Sequence, residues 1–132
     1  MGWVPGTNFL VNSYVMAGSQ VVNEINSGES QPIRHVIEIE NLTTLPYAVG
    51  FDAQITGLDP DLMYNGSNIW SERGIALPGR STVRPEHDLT IVHPGKLRTA
   101  VLSCTHLELY NPRNRMTTEY KNLEISTKVS VR

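Results

Sequence analysis

Tyr47-Ala48-Val49-Gly50-Phe51-Asp52-Ala53-Gln54-Ile55 is the stretch on which the fold turns. Tyr47, Val49, Phe51, Ala53 and Ile55 alternate with Ala48, Gly50, Asp52 and Gln54. Successive side chains of an extended chain point to opposite faces, so this alternation predicts a strand with one buried face. The pattern extends outward in both directions. Upstream, Ile33, His35, Ile37 and Ile39 alternate with Arg34, Val36, Glu38 and Glu40, a strand with its isoleucines inward. Asn41 to Pro46 reads as the turn between the two. Downstream, Lys96 to Tyr110 is the longest strand-like run. Leu97, Thr99, Val101 and Ser103 share one of its faces, and Arg98, Ala100, Leu102 and Cys104 the other. Both faces are partly apolar, as in a central strand. Leu123, Ile125, Thr127, Val129 and Val131 alternate with polar residues in a last, half-buried strand.

Turn signals separate these runs. They are Leu77-Pro78-Gly79-Arg80-Ser81 and His93-Pro94-Gly95-Lys96-Leu97, with Asp59-Pro60-Asp61 and Asn65-Gly66 marking a loop or hairpin tip. Phe9 to Met16 reads as a first strand, Gln20 to Ile25 as a short second piece and Asn26 to Ser30 as a turn. Asn68 to Ala76 is a weaker strand. Ser81 to Arg84 and Leu89 to Val92 read as one strand interrupted by Pro85, at a bulge or an edge. No stretch reads as a helix, and a parallel sheet needs crossover helices. The pattern predicts an all-β, antiparallel sandwich of about seven or eight strands, with a jelly roll or small barrel as the other compatible arrangements. Residues 1–30 read as an irregular N-terminal arm and first strands packed on a sandwich of residues 31–132, one domain overall.

The 132 residues suffice for a sizeable core without disulfide or metal. With 13 acidic and 11 basic side chains the net charge is −2, which argues against nonspecific nucleic-acid binding. Charged residues are 18% of the chain, below the roughly 25% of an average domain, which suits a surface covered by other proteins. Cys104 is the only cysteine, so no intrachain disulfide forms. The N-terminus has neither a basic start nor a continuous apolar run, and no segment reaches transmembrane length. The expectation is a chain made in a reducing cytoplasm, not secreted by a signal peptide and without a membrane partner.

Several of these stretches together resemble a known family. They are Ile37-Glu38-Ile39-Glu40-Asn41 before a turn, Leu77-Pro78-Gly79-Arg80-Ser81 and His93-Pro94-Gly95 before strands, and Glu119-Tyr120-Lys121-Asn122 before the last strand. The chain resembles, over Ile33 to Val131, the immunoglobulin-like domains of the CARDB (cell-adhesion-related) type. That resemblance implies an immunoglobulin-like β-sandwich and a binding or structural module, with no catalytic residues to transfer.

Candidate chemistry is sparse. Cys104-Thr105-His106 would place a thiol and an imidazole on one strand face, with His87 and His93 as further ligands. A zinc site uses about four ligands at characteristic spacings, and none of those spacings is present. As a nucleophile and base, the same pair would stand about 7 Å apart along the strand, beyond direct proton transfer. Asp59, Asp61 and Asn65-Gly66 suggest a calcium loop, but Pro60 and the missing terminal Glu break the pattern. Arg80, Arg84, Arg98, Arg113 and Arg115 would form a basic face if the strands align them. Trp3, Trp70 and Tyr64 would suit sugar rings, although core packing explains them as well. No catalytic, cofactor or metal residue is assigned.

The functional expectation is a non-enzymatic structural assembly protein. A virion component fits best, a capsid decoration or cement protein assembled in the host cytoplasm. It would bind other protein subunits, and copies of itself, through Trp3, Val4, Phe9, Arg113 and Arg115. The alternative is a carbohydrate- or peptide-binding adhesion module.

Overall fold

The computed structural model describes residues 2–26, 31–57, 62–92 and 98–132. Among them there is no helix. The strands are β1 (Gly2–Trp3), β2 (Phe9–Ala17), β3 (Gln20–Val22), β4 (Glu24–Ile25), β5 (Ile33–Asn41), β6 (Tyr47–Thr56) and β7 (Leu62–Met63). They continue with β8 (Ile69–Leu77), β9 (Ser81–Val83), β10 (Glu86–Asp88), β11 (Thr90–Ile91), β12 (Arg98–Asn111) and β13 (Met116–Val131).

Two sheets carry the fold. In the first, β1 and β3 lie beside β2, β2 pairs with β5, and β9 and β10 share the far edge of β5. In the second the order is β4-β13-β12-β6-β8. A small ladder joins β7 to β11. Every pairing is antiparallel except β4 with β13. The inward residues of the two sheets meet in one apolar core, with Val11, Val15, Ile37 and Ile39 facing Phe51, Ile55, Leu102 and Val129. The alternation of β6 is realised, since Val49, Phe51, Ala53 and Ile55 are all buried. So is the inward side of β5, His35 included.

Three expectations change. First, the arm is ordered over residues 2–8. Gly2 and Trp3 pair with Val11 and Leu10, and a tight turn closes through Thr7 N–H donating to the Val4 carbonyl at 3.1 Å. β2 is a full member of its sheet, paired with β5 from Phe9↔Asn41 to Ala17↔Ile33. Second, Pro85 lies on an edge as expected, where its missing N–H costs no ladder bond, but the strand across it does not run on to Val92. The Pro85 carbonyl accepts from Ile37 N–H at 3.0 Å, and the strand on that edge ends at Asp88; Thr90 and Ile91 leave to join β7. Third, β12 does not keep one phase. Ala100, Leu102 and Cys104 point inward, and so do Leu107 and Leu109. The register shifts between Cys104 and His106 against both neighbours, and against β6 Thr105 is the extra residue of a bulge.

Turn chemistry sets the end of the sandwich where β5, β8 and β12 finish. Asn41 is buried there. Its Nδ2 donates to the carbonyls of Leu45 (2.8 Å) and Pro78 (3.2 Å), and its Oδ1 accepts from Thr43 N–H (2.9 Å). Gly79 passes so close to the next turn that a Cβ there would stand 2.5 Å from the Thr44 carbonyl. The Asn65-Gly66 tip is realised as a two-residue turn, with φ of 50° and 91° and paired backbone bonds between Tyr64 and Ser67. Asp59-Pro60-Asp61 and the turn at residues 93–97 lie outside the described residues.

Candidate functional site

The five residues expected at an interface separate into two groups. Val4 and Phe9 are buried in the chain's own core, where Phe9 meets the Tyr47 ring edge-on at 5.1 Å. Their apolar area is already covered, so they are not free surface. Trp3 remains 58% exposed. With Gly2, Pro5 and residues 122–125 it lines a shallow groove of about 340 Å³ beside β13. Arg113 and Arg115 are exposed in the turn between β12 and β13, where Arg115 adopts φ 58°.

The edge of β13 connects these places. One side of β13 pairs with β12 along its length. On the other side only Ser130 and Val131 have ladder partners among the described residues, in β4. Among the described residues, then, the backbone from Met116 to Lys128 has no ladder partner on that side and is an open edge. It kinks at Asn122 (φ 58°), where β13 carries two more residues than β12 between ladder positions.

Beside the β12–β13 turn the sheets part around a groove of about 330 Å³. Tyr47, Tyr120, Leu109 and Met116 contribute its apolar surface, and Thr7, Asn8, Thr43, Asn111, Asn114 and Thr118 its polar groups. Among the described residues no charged one lines it.

The outer face of the second sheet carries a polar cluster. The bulge at Thr105 turns His106 outward, onto the register position of Asp52. Asp52 Oδ2 stands 3.0 Å from His106 Nδ1, while Asp52 Oδ1 accepts from Ser71 Oγ (2.7 Å) and Arg73 (2.9 Å). Arg73 also meets Glu108 at 3.2 Å and the Phe51 carbonyl at 2.8 Å. It lies across β6 because position 50 is glycine; a Cβ there would meet Arg73 Cδ at 2.5 Å. Partial burial pushes the Asp52 carboxyl pKa upward, but the bonds from Ser71, His106 and Arg73, with the Arg73 charge, hold it below the ordinary value. His106 Nε2 is buried without a hydrogen-bond partner, the nearest acid oxygen, on Glu119, being 3.9 Å away. That distance is too long for a hydrogen bond.

A second polar set is sealed inside. Ser13 Oγ donates to the Leu102 carbonyl at 2.9 Å, joining the two sheets. It therefore accepts from His35 Nε2–H at 2.7 Å, and His35 Nδ1 accepts from the Tyr64 hydroxyl at 2.7 Å. The serine proton points at a carbonyl rather than the imidazole, so His35 is not placed as its base. Burial, with a smaller effect of His87, lowers the His35 pKa to about 3. Burial likewise raises the Tyr64 hydroxyl above its ordinary value.

The other sequence candidates resolve as follows. Cys104 faces the core and His106 the outer face, so the bulge separates that pair. Burial pushes the Cys104 thiol up to about 12. Among the described residues no group of three or more His, Cys, Asp or Glu is arranged to hold a metal. His93 lies outside the described residues, and His87 packs against the Tyr64 and Trp70 rings. Tyr64 and Trp70 are themselves buried and offer no platform. The Arg98 side chain lies outside what is described, and the other four arginines do not share a face: Arg84 pairs with Glu38 (3.0 Å) on the first sheet, Arg80 sits in the turn before β9, and Arg113 and Arg115 stand at the β12–β13 tip. Asp52, Tyr47, Tyr120 and Asn114 were not singled out in the sequence, where only the outward position of Asp52 marked it. No family model matches this chain, and no curated protein or solved structure matches it.

Proposed function

We propose that this chain is a non-enzymatic assembly module of the immunoglobulin-like kind that docks on other protein subunits along β13. The setting we propose is a virion, with the chain as a capsid decoration or cement protein that also meets copies of itself. The strand order supports the immunoglobulin-like part. β2-β5-β9/β10 against β13-β12-β6-β8 corresponds to A-B-E against G-F-C-C′ in such domains.

The open edge of β13 carries the docking proposal. Unpaired N–H and C=O groups along a strand are a template for a further strand. Arg113 and Arg115 stand at one end of this edge. Trp3 stands beside Leu123, about 27 Å further along by strand geometry. A docked strand would span both, with Trp3 supplying apolar area and the arginines supplying forks for carboxylates. The kink at Asn122 limits how long a regular ladder can grow, which restrains open-ended aggregation.

Sedimentation of the full chain tests this. The expected result is a concentration-dependent oligomer that Trp3→Glu dissolves. Amide exchange over Thr117 to Lys121 should slow in the oligomer. A chain that stays monomeric up to about 1 mM, or an oligomer indifferent to Trp3→Glu and to exchange at β13, overturns the docking edge.

A further inference from the structure

We propose that the groove between Tyr47 and the β12–β13 turn is a binding site for a neutral saccharide. The groove meets the docking edge at Met116, Thr118 and Tyr120, but neither Trp3 nor Arg113 and Arg115 line it.

The lining matches the chemistry of a sugar. A pyranose offers an apolar C–H face and a ring of hydroxyls without charge. Tyr47 and Tyr120 provide rings for the first, and the Phe9 edge at 5.1 Å holds the Tyr47 ring in place. Amides and hydroxyls provide for the second, and among the described residues no charged side chain lines the groove to demand a counter-ion. The volume of about 330 Å³ falls at the lower end of small-molecule sites, which run from roughly 300 to 1,000 Å³.

The amide donors are set in advance. Asn111 Oδ1 accepts from Arg113 N–H at 3.0 Å, and Asn114 Oδ1 accepts from Met116 N–H at 3.0 Å. Each bond fixes its side chain with the oxygen occupied by the turn and leaves the NH₂ donors for a ligand. The side chains of Asn8 and Thr118 and the two tyrosine hydroxyls have no hydrogen-bond partner among the described residues. Donors and acceptors held in place before binding lose little entropy when a hydroxylated ligand arrives.

Chemical-shift perturbation of the full chain tests the site. The probes are lactose, maltotriose and chitotriose, with sialyllactose and a neutral Thr/Val tetrapeptide as contrasting arms, each at about 10 mM so that millimolar binding registers. At least one neutral saccharide should shift the amides around Tyr47, Asn114 and Tyr120 saturably. Asn114→Asp keeps the oxygen that accepts from Met116 N–H and removes the NH₂ donor; it should weaken binding about 3- to 10-fold. Tyr120→Ala should weaken it about 10-fold or more. Trp3→Glu should leave it unchanged. The assignment is overturned if no neutral saccharide shifts those amides or if only the tetrapeptide does. It is also overturned if affinity follows Arg113 and Arg115 rather than Asn114 and Tyr120 in variants that keep their thermal midpoint.

Discussion

Acidification should destabilise this fold well before its carboxylates protonate, and His35 is the reason. In the folded chain its imidazole is sealed between Ser13 and Tyr64, with a pKa of about 3 against an ordinary 6.5. Both ring nitrogens are in use, so an added proton on Nδ1 would displace the Tyr64 donor. The unfolded chain binds a proton at His35 as pH falls through 6.5, and the folded chain does not until about 3. Between those values the unfolded state holds more protons, so stability rises with pH there and is lost on the way down. From about pH 7.5 to about pH 5 the loss is about 2 kcal/mol, a large share of the 5–15 kcal/mol typical of a domain. In urea titrations it should move the midpoint by about 1 M. His35→Gln carries a donor and an acceptor but does not titrate, so its stability should change by about 2 kcal/mol less over the same range. Comparing the two chains removes the contribution of the remaining histidines. Equal losses in both proteins would refute the reasoning, as would an imidazole NMR titration placing folded His35 near 6.5.

Other expectations follow from single contacts. Gly79→Ala places a Cβ 2.5 Å from the Thr44 backbone, which cannot move away as a side chain tip could. It should cost about 2–3 kcal/mol and lower the calorimetric midpoint by several degrees, whereas Gly6→Ala meets no atom within 4 Å. At Gly6 the cost should be confined to its φ of 74°. Cys104, buried and with its thiol pushed up to about 12, should resist iodoacetamide at mildly alkaline pH until the chain unfolds. Native-state labelling at the rate of a free thiol would contradict its inward placement.

Much of the architecture was legible because it is written in local alternation. Ile33, His35, Ile37 and Ile39 share a face in the sequence and share the core in the fold, so even the burial of His35 could be read. The Pro78-Gly79 turn and the Asn65-Gly66 tip also followed from residue chemistry. The partners of these residues were not legible. Ser13 comes to His35 from β2 and Tyr64 from the turn after β7, and the Leu102 carbonyl that orients Ser13 comes from β12 in the other sheet. Val4 and Phe9 looked like a free arm because nothing near them in the chain tells that β2 joins β5 over nine positions.

The Thr105 bulge marks the boundary most clearly. Period-two patterning put Cys104 and His106 on one face, and one extra residue put them on opposite faces. Whether a strand bulges depends on how two neighbouring strands register with it, and those neighbours lie some fifty residues before and some twenty after it. Side-chain alternation along a strand is a property of its own backbone, so the chain specifies strands, turns and an inward face by itself. Which groups then meet across the core, which edge stays open and where the sheets part to form a groove depend on contacts between distant segments, and those exist only once the layers have closed.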